Sequence, residues 1–92
     1  MNTIKRDGNQ FYIGESIENR VAEITFVSSG ENTIIIDHTY VSDSLRGQGI
    51  ALQLVNKVAE YARLEHKKII PLCSYAKKVM TQNEEYKDVL KK

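Results

Sequence analysis

The run Ser42-Asp43-Ser44-Leu45-Arg46-Gly47-Gln48-Gly49-Ile50-Ala51 constrains the fold most, because it joins the most strand-like stretch of the chain to its most helix-like one through two glycines. Thr33 to Val41 is dense in β-branched and aromatic residues, and the residues after Gly49 repeat with helical period. Arg46 to Ala51 therefore reads as a strand-to-helix turn. Gly47 and Gly49 permit backbone conformations that other residues avoid and let the main chain approach a ligand closely. The unpaired amides of the first helical turn, at the positive end of the helix dipole, then favour an anion. Arg46 adds a guanidinium whose forked donors match phosphate oxygens.

Spacing rules out two common phosphate loops. A Walker loop requires Lys and then Ser or Thr after its last glycine, and Gly49 is followed by Ile50-Ala51. A dinucleotide fingerprint begun at Gly47 requires Gly or Ala where Leu52 stands. The pattern Arg/Gln-x-x-Gly-x-Gly/Ala is met, by Arg46, Gly49 and Ala51. Together with His38-Thr39-Tyr40-Val41 before the turn and Pro71-Leu72-Cys73-Ser74-Tyr75-Ala76 after the next strand, it makes the chain resemble the GCN5-related N-acetyltransferases. Within that superfamily the likeness is to a small, single-domain branch, and it extends over roughly residues 10 to 90.

The rest of the chain is read in order. Residues 1 to 9 are polar and end in the turn signal Asp7-Gly8-Asn9, which predicts a tail with little order. Gln10 to Gly14 and Arg20 to Ser28 read as strands. In the second, Val21, Glu23, Thr25 and Val27 alternate with Ala22, Ile24 and Phe26, as in an antiparallel strand packed on one face. Ser28 to Asn32 reads as a hairpin loop. In the third strand, Thr33 to Ser42, uninterrupted alternation places His38 and Tyr40 on the side of Ile34 and Ile36, and a bulge would re-aim them.

After the turn, Ala51, Leu54, Val55, Val58 and Ala62 form the apolar stripe of a helix ending near Glu65-His66. Lys67 to Leu72 reads as a short buried strand, parallel to the third by a right-handed crossover, with Pro71 limiting its pairing. Ser74 is expected to cap a helix over Tyr75 to Thr81, and Asn83 a further one carrying Tyr86, Val89 and Leu90. The fold class expected is α+β in one domain, 1–92: a mixed sheet with an antiparallel N-terminal meander, a strand–helix–strand core and C-terminal helices.

Composition narrows the partners. Thirteen Lys plus Arg against twelve Asp plus Glu leave a formal charge of +1, unlike the basic footprint of a nucleic-acid binder. No apolar run reaches membrane-spanning length and the N-terminus lacks a signal-peptide core, so no membrane partner and a cytoplasmic location are expected. No apolar stripe is left over once sheet and helices pack, which predicts a monomer. The single Cys73 cannot form an intrachain disulfide or complete a thiolate metal cluster, and it is either a buried apolar residue or a reactive thiol.

The resemblance implies acetyl-CoA as cosubstrate, transferred to an amine that is a small molecule, a peptide or a protein. It places the pyrophosphate on Arg46, Gly47, Gln48, Gly49, Ile50 and Ala51, and the pantetheine arm beside Tyr40 and Val41 in a splay between strands. Lys77 and Lys78 either reach the nucleotide phosphates or lie on a solvated helix face. Amide formation from a thioester requires a neutral amine, a donor for the oxyanion and an acid for the leaving thiolate. His38 is a base or a structural side chain, and Tyr75 an acid toward the coenzyme sulfur or a packing aromatic. His66 reads as a surface residue at a helix end. Cys73, at the strand end before a helix N-terminus, is expected to accept the acetyl group or to act as base, with His38 as a neighbouring partner. The superfamily usually begins with a further strand and two helices that wall the acceptor site, so an open acceptor side is expected here. The reading from another class is a non-catalytic module that binds CoA or a partner protein through the same fold.

Overall fold

A computed structural model describes residues 3–91 of the chain. Its five strands, β1 (Lys5–Arg6), β2 (Gln10–Gly14), β3 (Arg20–Ser28), β4 (Thr33–Val41) and β5 (Lys68–Pro71), lie side by side in chain order. The first four are antiparallel, and β5 runs parallel to β4 after the crossover helix α1 (Ile50–Leu64). Tight connections suffice for the antiparallel pairs, whereas a parallel pair needs the longer path that α1 supplies. Part of the expected tail is a strand, since Lys5 pairs with Tyr12 and Arg6 with Phe11. Arg6 then stacks its guanidinium 4.5 Å from the centre of the Tyr61 ring, an anchor that the polar composition of this segment hides.

Alternation along the strands sends one set of side chains toward the helices. Phe11, Ile13, Ala22, Ile24, Phe26, Ile34, Ile36 and Ile69 form a single buried cluster with Leu54, Val55, Val58, Ala59 and Ala62 of α1. Ala76 and Met80 of the second helix, α2 (Ser74–Gln82), join the same cluster, so both helices cover the same face. The opposite face carries Tyr12, Glu23, Thr25, Val27, Ile35, His38 and Tyr40 and has no helix over it.

A bulge divides β4. Phe26 pairs with Ile36 but Thr25 pairs with His38, which leaves Asp37 as the extra residue. Asp37 is held by the Thr25 hydroxyl, which donates to its Oδ1 at 2.6 Å. The bulge reverses the side-chain parity, so His38 and Tyr40 lie on the face without helices and Thr39 and Val41 on the helical face. The assignment of His38 and Tyr40 to the side of Ile34 and Ile36 is thereby corrected.

Two expectations at the C-terminus are also corrected. Ser74 is the first residue of α2 and makes no side-chain cap, the cap position being Cys73. The segment after Asn83 forms only a 3-10 turn over Glu84–Tyr86. Val89 and Leu90 leave the helical path because β5 needs an outer partner: Ile69 donates to Val89 O at 2.6 Å and Lys91 donates to Ile69 O at 2.8 Å. Pairing there satisfies the exposed edge of β5, which outweighs helix propensity in so short a segment.

Candidate active site

The turn between β4 and α1 has the form its glycines require. A 3-10 turn over Asp43–Leu45 leads into Gly47 at φ 84° and Gly49 at φ 74°, both in the left-handed region. Gly49 is the N-cap of α1 and accepts the first helical hydrogen bond, from the amide of Gln53 at 3.1 Å. Among the described residues, the amides of Ile50, Ala51 and Leu52 have no backbone acceptor. A Cβ built at Gly47 or Gly49 meets nothing within 4 Å, so the space above both is open. Ile50 is buried and anchors the helix start, leaving its amide as its contribution to a ligand. Arg46 Nε lies 3.2 Å from Asp43 Oδ1 in an exposed pair, and Gln48 is exposed beside them. A pair of that exposure contributes little and yields readily to a stronger anion.

A hollow of about 360 Å³ opens over this turn, lined by Val41, Leu45, Arg46, Gly47, Gly49, Ile50, Ala51 and Tyr75. Its walls are apolar on the strand side and carry helix amides and a guanidinium on the other, which suits a ligand with an anionic and an apolar part. Two hollows of about 440 and 450 Å³ lie elsewhere, around Arg63 and Asp88 and around Asn56 and Glu85. Neither adjoins a glycine turn or a nucleophile.

Beyond this hollow the sheet splays. β5 stops pairing at Ile36–Pro71, and the amides of Leu72 and Cys73 both turn to Ile36 O, at 2.9 and 3.1 Å. β4 continues to Val41 without a partner on that side. Pro71, with no amide hydrogen, stands where the ladder ends. Cys73 stands two residues on, half-buried, with its Sγ 3.3 Å from Thr39 Oγ1. Burial alone pushes the Cys73 thiol up, but the Thr39 hydroxyl and the backbone amides of Ala76 and Tyr75 outweigh it and bring the thiol below its ordinary 9.0.

His38 and Cys73 are not neighbours. The bulge sets His38 on the face without helices, while Cys73 meets Thr39 on the helical face. The neighbouring partner expected for Cys73 is therefore replaced by Thr39. His38 faces Glu23 instead, its Nε2 3.6 Å from Glu23 Oε2. Tyr40 is exposed on the same face and does not line the hollow, so only its main chain is directed toward the splay. Lys77 and Lys78 are exposed on α2 outside the lining of the hollow. His66 follows Glu65, the C-cap of α1, and takes the left-handed conformation at φ 56°. Sequence reading missed Thr39 and Glu23 as members of the site. Only the bulge brings them to Cys73 and His38, and no local pattern marks it.

The family model described as GCN5-related N-acetyl-transferase matches residues 10–89. The solution structure of a GCN5-like protein from Staphylococcus aureus is 45% identical, with a TM-score of 0.84, over 97% of this chain and 87% of that one. A ribosomal-protein-alanine N-acetyltransferase from Brucella melitensis is 24% identical, TM-score 0.58, over 84% of this chain and 64% of its own. N-acetylglutamate synthase from Neisseria gonorrhoeae, complexed with coenzyme A and N-acetyl-glutamate, is 11% identical, TM-score 0.63, over 88% of this chain and 21% of its own. The last two likenesses concern the fold alone. No curated protein matches the chain. With 80 of its residues inside the family model and an α+β sheet that splays beside a glycine turn, the chain belongs to the GCN5-related N-acetyl-transferase family and is an N-acetyltransferase.

Proposed function

We propose that this chain moves the acetyl group of acetyl-CoA to a primary amine, with the pyrophosphate on Arg46–Ala51 and the thioester in the splay between β4 and β5. The observation that carries the reading is the continuity of hollow and splay. Tyr75 lines the hollow, and two residues before it Cys73 sits where β5 leaves β4. The splay opens on both faces of the sheet, so a thioester there meets Cys73 and Thr39 from one side and His38 from the other.

These groups support two routes. In direct transfer the amine nitrogen attacks the thioester carbonyl, the new C–N bond forms and the C–S bond breaks with its electron pair going to sulfur. His38 or Cys73 takes the amine proton, and Tyr75 protonates the leaving thiolate. In the covalent route the Cys73 thiolate attacks the thioester carbonyl, the new S–C bond forms as the bond to the CoA sulfur breaks with its electron pair, and Tyr75 protonates the leaving thiolate. The amine then displaces Cys73 from the acetyl group. The lowered thiol of Cys73 favours its participation in either. The face without helices gives the acceptor free access, which suits a peptide or protein amine as well as a small one.

Intact-protein mass spectrometry after exposure to acetyl-CoA without acceptor tests the assignment, paired with CoA release by wild type, Cys73→Ala and His38→Ala on spermidine, a lysine peptide and an alanyl peptide. An acetyl adduct lost in Cys73→Ala supports the covalent route, and impaired release without an adduct supports the base role. Full activity of Cys73→Ala ends its participation and leaves His38 as the base. A wild-type chain that binds acetyl-CoA and releases no CoA favours the non-catalytic module. We further propose a cytoplasmic monomer; among the described residues no helix is long and apolar enough to cross a membrane.

A further inference from the structure

Glu23 is buried, with 7% of its surface exposed, on the sheet face that no helix covers. A carboxylate in that position loses hydration, and the loss is offset only if both oxygens find partners. Arg20 satisfies one, its Nε 2.7 Å from Oε1, and the same guanidinium donates to Ile17 O at 2.6 Å, which fixes it. The other oxygen, Oε2, faces His38 Nε2 at 3.6 Å. An apolar side chain would pack the sheet at least as well, so packing gives no reason for a carboxylate here. The remaining polar or charged side chains around His38 are Thr25 of β3, which pairs with it, Asp37 and Tyr40 of β4, and Tyr12 of β2 beyond Glu23. Asp37 is engaged by the Thr25 hydroxyl, which leaves Glu23 as the carboxylate aimed at the ring.

We propose that Glu23 is a positioning residue: its Oε2 holds the imidazole of His38 with Nε2–H toward the carboxylate and keeps the Nδ1 lone pair free to receive the acceptor's proton at the splay. The inference rests on His38 acting as a base in the transfer proposed above. In that step the proton moves from the amine to Nδ1, and the imidazolium so formed stands beside a fixed negative charge. The gap of 3.6 Å is longer than a hydrogen bond, so the step requires the exposed His38 ring to move toward Glu23 when the amine is bound. Arg20 serves the carboxylate in turn, holding it in place from the side away from His38.

Imidazole nitrogen chemical shifts give the tautomer of neutral His38 without any acceptor, and the only other histidine, His66, is assigned with His66→Gln. The expected result is an exclusive Nε2–H form in wild type that relaxes in Glu23→Gln toward the mixture of tautomers of a free imidazole, with CoA release from acetyl-CoA slowed by about tenfold or more and KM for acetyl-CoA unchanged within about twofold. A purely structural role of Glu23 does not move the tautomer. Nδ1–H as the neutral form in the wild-type chain overturns the proposal without any variant, as does a Glu23→Gln chain that releases CoA at the wild-type rate. Wild type inactive on all three amines sinks the transfer reaction itself, whereas an active wild type matched by Glu23→Gln sinks only the role of Glu23.

Discussion

Cys73 Sγ lies 3.3 Å from Thr39 Oγ1 across the point where β5 leaves β4. This contact stabilises the thiolate by hydrogen bonding, against the opposing effect of burial. Alkylation of Cys73 by iodoacetamide is expected to rise with pH through a midpoint below 9.0, and in Thr39→Val through a higher one. Because the folded thiol titrates below the unfolded one, its contribution to stability exists above the unfolded value and is lost as pH falls through the folded one. At neutral pH it adds little to stability, so Thr39→Val changes reactivity more than the melting temperature. Identical alkylation profiles would remove Thr39 from the site.

The turn at Arg46–Ala51 gives effects of opposite sign. Arg46→Ala removes a charged donor and is expected to weaken acetyl-CoA binding by about 10- to 100-fold. Gly49→Ala forces alanine to φ 74°, which costs about 1 kcal/mol, so the double variant stays folded with a modestly lower melting point. Asp43→Asn frees Arg46 from its exposed partner and takes a negative charge from beside the phosphates, and it should tighten binding. Calorimetry reads all three, and unchanged affinity in the double variant would move the coenzyme elsewhere.

The sheet, the crossover helix and the glycine turn before it are legible in the sequence because each rests on local periodicity or on a glycine that a particular φ demands. Long-range features are not. The extra residue Asp37 is set by the Thr25 hydroxyl from the neighbouring strand, and a strand read alone predicts the opposite face for His38. The segment holding Val89 and Leu90 carries a helical stripe, but the open edge of β5 claims it. Lys5 and Arg6 look like a tail until Tyr12, Phe11 and the Tyr61 ring are beside them. In each case the deciding partner is distant in the chain.

The C-terminal segment is fastened to α1 by Arg63. Its Nε donates to Asp88 Oδ2 at 2.7 Å, and one of its terminal nitrogens donates to Glu85 O at 2.7 Å. Hydrogen bonding to Arg63 holds the Asp88 carboxyl below its ordinary 3.8, so the pair contributes stability above that value and loses it as pH falls through the folded one. Asp88→Asn should lower the melting temperature only slightly at neutral pH, since the pair is exposed and screened by solvent, and converge with wild type in acid. Since Leu90 bridges to Ile69, hydrogen exchange at the Ile69 amide should speed up in the variant. Unchanged exchange would mean that Arg63 is not what keeps this segment on β5.

Tyr86 follows α2 with a ring that is 1% exposed and a hydroxyl that donates to Asn56 Oδ1 of α1. Burial first, and then the nearby Glu85 carboxylate, push its phenol up from 10.0 to about 12. A folded value above the unfolded one means that the neutral phenol stabilises the chain fully below pH 10 and that this contribution disappears as pH rises from 10 to 12. Tyr86→Phe has no phenol to ionise and leaves the Asn56 acceptor unpaired, so it should be less stable than wild type by about 1 kcal/mol at neutral pH. The lysines titrate in both chains and cancel in the difference. Urea unfolding free energies of the two chains, measured from neutral pH into alkali, are therefore expected to converge above pH 10, with wild type falling the more steeply. Parallel curves would show that Tyr86 ionises at its ordinary value and that its hydroxyl meets water rather than Asn56.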